Sequence, residues 1–199
     1  MPWNAPETNG VQYLADPKRL ARKLGVEATD EDMLDALERA SDRFRGAVRH
    51  PVHLVKDDTV TLNGPGRGPL VLPAAPVVGD IVLEIRTNTG TITHTTLGEN
   101  FTTQYGVDRN AGIVERAGSW PTGLGAIRVT YSHGHEVIPG DICDAVLEVA
   151  ETTYTIEHGI AQISTGNESA SYSLAEATGV TQRWTDAVEN HQLNNGDRQ

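Results

Sequence analysis

Apolar residues recur every three or four positions near both ends of the chain and every second position between them, so helices are expected to flank a sheet. In "ADPKRLARKLG" Asp16 stands at an N-cap and Pro17 at the first helical position, where its missing N–H costs nothing. Gly25 supplies a left-handed stop, and a helix of about two turns is predicted. In "ATDEDMLDALERASDRFRGAVRHP" Thr29 is the expected cap, and Asp30, Glu31 and Asp32 face the positive end of the helix dipole. Met33, Leu37, Ala40, Phe44 and Val48 form one apolar stripe, with Glu38, Arg39, Asp42, Arg43 and Arg45 as its solvated flanks, and His50 and Pro51 end the helix.

From there to about Ser132 the period is two. Val60 and Leu62 alternate with Thr59 and Thr61, "NGPGRGP" reads as a hairpin turn, Leu70 and Leu72 follow, and Ile81, Leu83 and Ile85 alternate with Val82, Glu84 and Arg86. Phe101, Thr103, Tyr105 and Val107 give another strand face, as do Ile127, Val129 and Tyr131. With turns at "TNTG", "DRNAG" and "WPTGLG", this is a meandering antiparallel sheet or small barrel-like sandwich of about six to eight short strands.

Helical spacing returns from Pro139 to about Glu157, with Ile142, Ala145, Val146, Val149, Thr153 and Ile156 on one face. "GIAQISTGNESASYS" is polar and rich in Gly and Ser, a linker with at most a short strand around Tyr172 and Leu174. "GVTQRWTDAVENHQ" then spaces Val180, Trp184, Ala187, Val188 and His191 as a small amphipathic helix. The class is α+β: a helical bundle of short N-terminal helices plus the long helix 139–157, an inserted antiparallel β-sheet or sandwich domain, and a C-terminal tether with a small helix. The expected segments are 1–50, 51–132, 133–158 packing with the N-terminal helices, and a flexible 159–199, with no internal repeat.

At 199 residues the chain is long enough for one ordinary domain of roughly 100 to 150 residues plus extensions. Its 38% hydrophobic and 22% charged residues are those of a soluble protein, and no apolar run approaches the roughly 18 residues of a membrane helix. No membrane partner is expected. "MPWNAPETNG" lacks the basic start and apolar stretch of a secretory signal, and the lone Cys143 cannot make an internal disulfide, which points to a reducing cytoplasm. Lys and Arg total 16 against 27 Asp and Glu, a net charge of −11 that disfavours wrapping nucleic acid through phosphate neutralisation. DNA passing along a repelling surface without binding remains compatible with it.

The densest candidate chemistry is "SHGHEVIPGD", where His133, His135 and Glu136 fall within four positions. If the strand continues, residues i and i+2 share a face and two imidazoles could hold a zinc ion. The third ligand would have to come from His50, His53 or His94, none at a ligand spacing, and there is no HExxH and no second Cys. The alternative is a joint: Tyr131 ends the strand, Pro139 opens a helix, and Asp141 favours its first turn. The glycines of "GPGRG" lack the following helix of a phosphate cradle. Cys143 is expected as a small buried hydrophobe. The carboxylate pairs Asp57 with Asp58 and Glu148 with Glu151 read as solvated edges, so neither a catalytic set nor a cofactor is expected. Trp120 is expected to cover a core edge, whereas Trp3 and Trp184 lie in polar-flanked terminal segments and suit partner anchors or docking on their own domain.

Three blocks together resemble the head-to-tail adaptor, or connector, proteins of long-tailed bacteriophages, especially those of actinobacteria. They are "DPKRLARKLGVEATDEDMLDALERASDRFRGAV", "VHLVKDDTVTLNGPGRGPLVLPAAPV" and "IRVTYSHGHEVIPGDICDAVLEVAETTY", which cover most of residues 16 to 158. The resemblance implies a structural virion protein without a reaction, made in the host cytoplasm and placed in the neck between capsid and tail. It implies a homo-oligomeric ring of twelve copies beneath the portal protein, with a downstream connector, stopper or tail protein joining below. It also implies that the carboxy-terminal segment reaches the portal, giving Tyr172, Leu174, Val180, Trp184 and Val188 a docking purpose, although the last forty or so residues match in composition more than motif.

Charge and pattern agree with that role. An acidic ring discourages DNA from sticking, and a sheet domain inserted between helices broadens contacts between neighbours. Two other classes stand beside it. A scaffold or interaction subunit of another assembly would share the same features, and a small zinc-dependent enzyme would use His133, His135 and Glu136. A carbohydrate-binding β-module would display aromatics on its strands; here they make up 5% of residues, and Phe101, Tyr105 and Tyr131 alternate as core residues do.

Overall fold

A computed structural model describes residues 12–87, 90–159 and 181–193. Asp16 accepts the Lys18 N–H at 2.9 Å and starts α1 (Pro17–Leu24), and Gly25 ends it at φ 72°, its N–H closing onto the Ala21 carbonyl at 2.8 Å. In α2 (Glu31–Val48) the cap is Asp30, not Thr29: the Asp30 carboxylate accepts the Met33 N–H at 2.8 Å. A charged acceptor at the positive end of the dipole takes the place of a neutral hydroxyl one residue earlier. The helix stops at Val48, ahead of His50 and Pro51, because Arg49 turns left-handed at φ 63°.

The α2 stripe of Met33, Leu37, Ala40, Phe44 and Val48 is buried. Ser41 is buried with it, its hydroxyl donating to the Leu37 carbonyl at 2.8 Å and accepting the Leu14 N–H at 3.1 Å. Arg45 departs from the solvated flank, since its guanidinium pairs with Asp42 at 2.8 Å and donates to the Gln12 carbonyl. α3 (Gly140–Gly159) is central: Ile142, Cys143, Ala145, Val146, Leu147, Val149 and Ala150 are all buried, more than one face can hold. α1, α2 and α4 (Gln182–His191) pack around it. These helices form one compact unit, and residues Leu54–His135 form a second.

The second unit carries seven strands: β1 (Val55–Pro65), β2 (Leu70–Val71), β3 (Val77–Arg86), β4 (Ile92–Leu97), β5 (Tyr105–Asp108), β6 (Ile113–Arg116) and β7 (Thr122–His133). They make two antiparallel sheets, ordered β1-β7-β3-β4 and β2-β6-β5, which share a core of Leu70, Leu72, Ile81, Leu83, Ile127 and Tyr131 among others. This is a sandwich rather than a meander. "NGPGRGP" is therefore no hairpin turn: β1 runs on to Pro65, which pairs with Thr122, while Leu70 joins β6 in the other sheet. The Tyr131 hydroxyl accepts the Ala74 N–H at 3.2 Å, and burial pushes its pKa up to about 12.

Phe101 and Thr103 also fall outside a strand. The Thr102 hydroxyl accepts the N–H groups of Gln104 and Tyr105 at 3.3 and 3.0 Å and curls the backbone, so β5 begins only at Tyr105.

Gly64 is the tightest point of the sandwich, since a Cβ there would lie 1.9 Å from the Pro121 carbonyl oxygen. Gly64→Ala is expected to cost about 3 kcal/mol or more, because strands β1 and β7 must part. Gly25→Ala meets no atom within 4 Å and strains only a φ of 72°, for about 1 kcal/mol. Denaturant unfolding of the two variants checks the contrast; equal losses would contradict it.

Candidate functional site

At the joint after β7, Gly134 adopts φ 93° and ends the extended backbone at His133. His133 and His135 thus do not stand as i and i+2 of one strand, which removes the premise of the zinc pair. His133 is 2% exposed rather than presented to solvent, with Nε2 3.2 Å from Asp58 Oδ2 and its ring tilted against Tyr131 at 5.1 Å. His135 is half-buried and belongs with the β unit, whereas Glu136 is exposed and belongs with the helices. Among the described residues no group of three or more His, Cys, Asp or Glu is placed to hold a metal ion. None of their helices is long and apolar enough to cross a membrane.

Of the residues expected to dock a partner, Tyr172, Leu174 and Val180 lie outside the described residues, as does Trp3. Trp184 is 6% exposed and packs edge-on to Phe44, with centroids 5.2 Å apart at 84°, beneath the Arg43 guanidinium at 5.6 Å. Val188 is half-buried against the same core. Both ends of α4 are pinned. Thr181 caps it and donates to Glu148 at 2.9 Å, and Arg183 pairs with the same carboxylate. At the other end His50 Nε2 lies 2.7 Å from the His191 carbonyl, and His191 Nε2 lies 2.8 Å from Asp141. α4 thus packs on the bundle, the docking on its own domain that was one of the two readings of Trp184.

Charge is divided unevenly between the units. The described part of the helical unit carries sixteen Asp and Glu against nine Lys and Arg, and that of the β unit seven against six. One acidic concentration lies where the start of α2 meets the end of α3. There His158 stacks on Tyr154 at 4.1 Å, its Nδ1 3.0 Å from the Tyr154 carbonyl and its Nε2 3.2 Å from Asp32. Arg39 joins Glu157 at 2.8 Å and Asp35 at 2.9 Å, and the Arg39 bond holds the Glu157 carboxyl below the usual carboxylate range.

Sequence periodicity missed two side chains. Phe101, read as a core position, is 82% exposed, and Leu124 is 81% exposed between two glycines of positive φ. Arg86 holds the Leu124 carbonyl at 2.9 Å, and Asn63 accepts the Gly125 N–H at 3.1 Å. The visible signal was the flanking glycines of "TGLG", which free a residue from strand alternation. Trp120 does cover the core edge, buried beside Tyr105 at 6.1 Å.

No protein-family model and no curated protein matches the sequence. Among solved structures, the chain is similar to one in the neck of an empty GTA particle computed with C6 symmetry, at 17% identity and a TM-score of 0.50, covering 92% of this chain and 94% of that one. It is also similar to a chain in the neck of a native GTA particle computed with C12 symmetry, at 16% identity, a TM-score of 0.47 and coverage of 96% and 94%. A third, from the virion of a native gene transfer agent particle, gives 16%, 0.49, 96% and 95%. At these identities the likeness concerns the fold.

Burial pushes the Cys143 thiol up to about 11, so it stays protonated and shielded in the native chain. Trp184→Ala is expected to cost about 3 to 5 kcal/mol and to speed alkylation of Cys143, which shares its core. Unchanged stability and labelling would show that α4 is not part of the bundle.

The Tyr154 carbonyl, followed by Asp32 and Asp30, raises the His158 pKa above its ordinary value. The charged form is the bound one, so its contribution is full below the ordinary His value and is lost as pH rises through the raised one. NMR titration should show this, with Asp32→Asn lowering the His158 midpoint; no movement would contradict the assignment.

Proposed function

We propose that this chain is a structural subunit of the neck of a phage-like particle: a head-to-tail adaptor that forms a ring beneath the portal and joins the capsid to the next connector or tail. The supporting observation is a fold shared over 92% of the chain with a neck chain of an empty GTA particle, at a TM-score of 0.50. The blocks within residues 16 to 158 that resemble connector proteins point the same way, and the C6 symmetry of that neck suits a ring of six copies or a multiple, twelve included. The role is assembly, not catalysis.

On this reading DNA leaves the capsid through the ring. The helical unit, with sixteen acidic against nine basic residues in its described part, suits the side facing the DNA, where like charge prevents sticking. Contact with the portal, expected of Tyr172, Leu174, Val180, Trp184 and Val188, belongs to the same proposal. Because Trp184 and Val188 already pack on the bundle, their part is to fix α4 at the end of the portal-reaching segment.

Mixing the full chain with purified portal rings of its particle tests the proposal by sedimentation and negative-stain imaging. An added ring of about twelve copies on one face of the portal is expected. A chain that remains monomeric in the presence of the portal would overturn it.

A further inference from the structure

Among the described residues, the two most exposed large apolar side chains, Phe101 and Leu124, sit at opposite ends of one ladder. β3 and β4 pair from Ile81 with Leu97 at one end to Arg86 with Ile92 at the other, a span of about 17 Å. Beyond the first end lies Phe101. Arg109 fixes that corner by donating to Asn100 Oδ1 at 2.6 Å, to the Leu97 and Gly98 carbonyls at 3.3 and 3.1 Å, and to the Gly79 carbonyl. At the second end lie Leu124 and Ile92, the latter 54% exposed, with Arg86 holding the Leu124 carbonyl.

The charges at the two ends are opposite. Asp80 and Glu99, both exposed, flank the Phe101 end, where the Asp80 carboxylate lies beside Gly98. Arg86, exposed, flanks the Leu124 end through its bond to the Leu124 carbonyl, and the exposed Arg67 follows two residues after Pro65, which pairs with Thr122 at the start of β7. Each end is thus an apolar knob held by an arginine on backbone carbonyls, the Phe101 end net acidic with Asp80 and Glu99 against the one Arg109 and the Leu124 end basic, and the fixed backbone at both ends lowers the ordering cost of contact. A ring needs two different and mutually complementary faces per subunit, whereas a two-fold dimer needs one self-complementary face. Like meeting like here would set acid against acid or arginine against arginine.

Resting on the ring reading above, we propose that these ends are the subunit's lateral faces: the Phe101, Asp80 and Glu99 end of one copy meets the Leu124, Ile92, Arg67 and Arg86 end of a second copy, head to tail.

Disulfide trapping tests this on the full chain. Phe101→Cys and Leu124→Cys variants, one carrying a longer tag, are mixed and mildly oxidised; the wild type, with Cys143 buried, controls for background. The heterodimer is expected to exceed either homodimer by about tenfold, and the excess should shrink at high salt. Adding Glu99→Arg to the Phe101→Cys chain should abolish the excess, and adding Arg67→Glu to its partner should restore it. A statistical mixture, an excess of either homodimer, or no disulfide product overturns the pairing. Rings that still form on the portal after such a failure would reject these faces alone, whereas a wild type that forms no ring on the portal would reject the proposed function separately.

Discussion

The pairing of β1 with β7 is the constraint on which the architecture rests. β1 is the first strand after the N-terminal helices and β7 the last before α3, and they run together from Val55 opposite His133 to Pro65 opposite Thr122. Just beyond, the Leu54 N–H donates to the His135 carbonyl at 3.0 Å. A long insertion whose ends are held side by side costs the surrounding fold little more closure entropy than a short loop. α2 and α3 can then pack as if consecutive, although the whole sandwich separates them in sequence. The cross-strand approach at Gly64 and Pro121 and the long run of paired residues make that closure specific.

What was legible in the sequence was local. α1 could be read whole because Asp16, Pro17 and Gly25 each act on backbone groups within a turn of themselves. The α2 stripe was equally plain, and only its cap moved, from Thr29 to Asp30, where two acceptors compete for the same amides. Strand pairing was not legible, because alternation says which face is buried but not which strand lies alongside, so "GPGRG" passed for a hairpin turn when it is a crossover between sheets. Phe101 shows the same limit: its spacing with Tyr105 and Val107 mimics a strand, and one threonine hydroxyl bends the backbone out of it.

The candidate sites divide on a similar line. His133 and His135 looked like ligands only while the strand was assumed to continue, and Gly134 ends it. Trp184 could be read as a partner anchor or as docking on its own domain because the apolar stripe of its helix does not say what covers it; Phe44, more than a hundred residues earlier, does. The features that do reach solvent, an acidic helical unit and two apolar knobs of opposite charge on the β unit, are products of tertiary placement and leave no periodic trace.

The central claim, that the chain is a ring-forming neck subunit, is tested most directly by imaging its particle at a resolution that traces side chains between portal and tail. A closed ring of this chain there, with the helical unit toward the DNA path, is the expected result. Density for the chain elsewhere in the particle, or its absence from a complete neck, would contradict the claim.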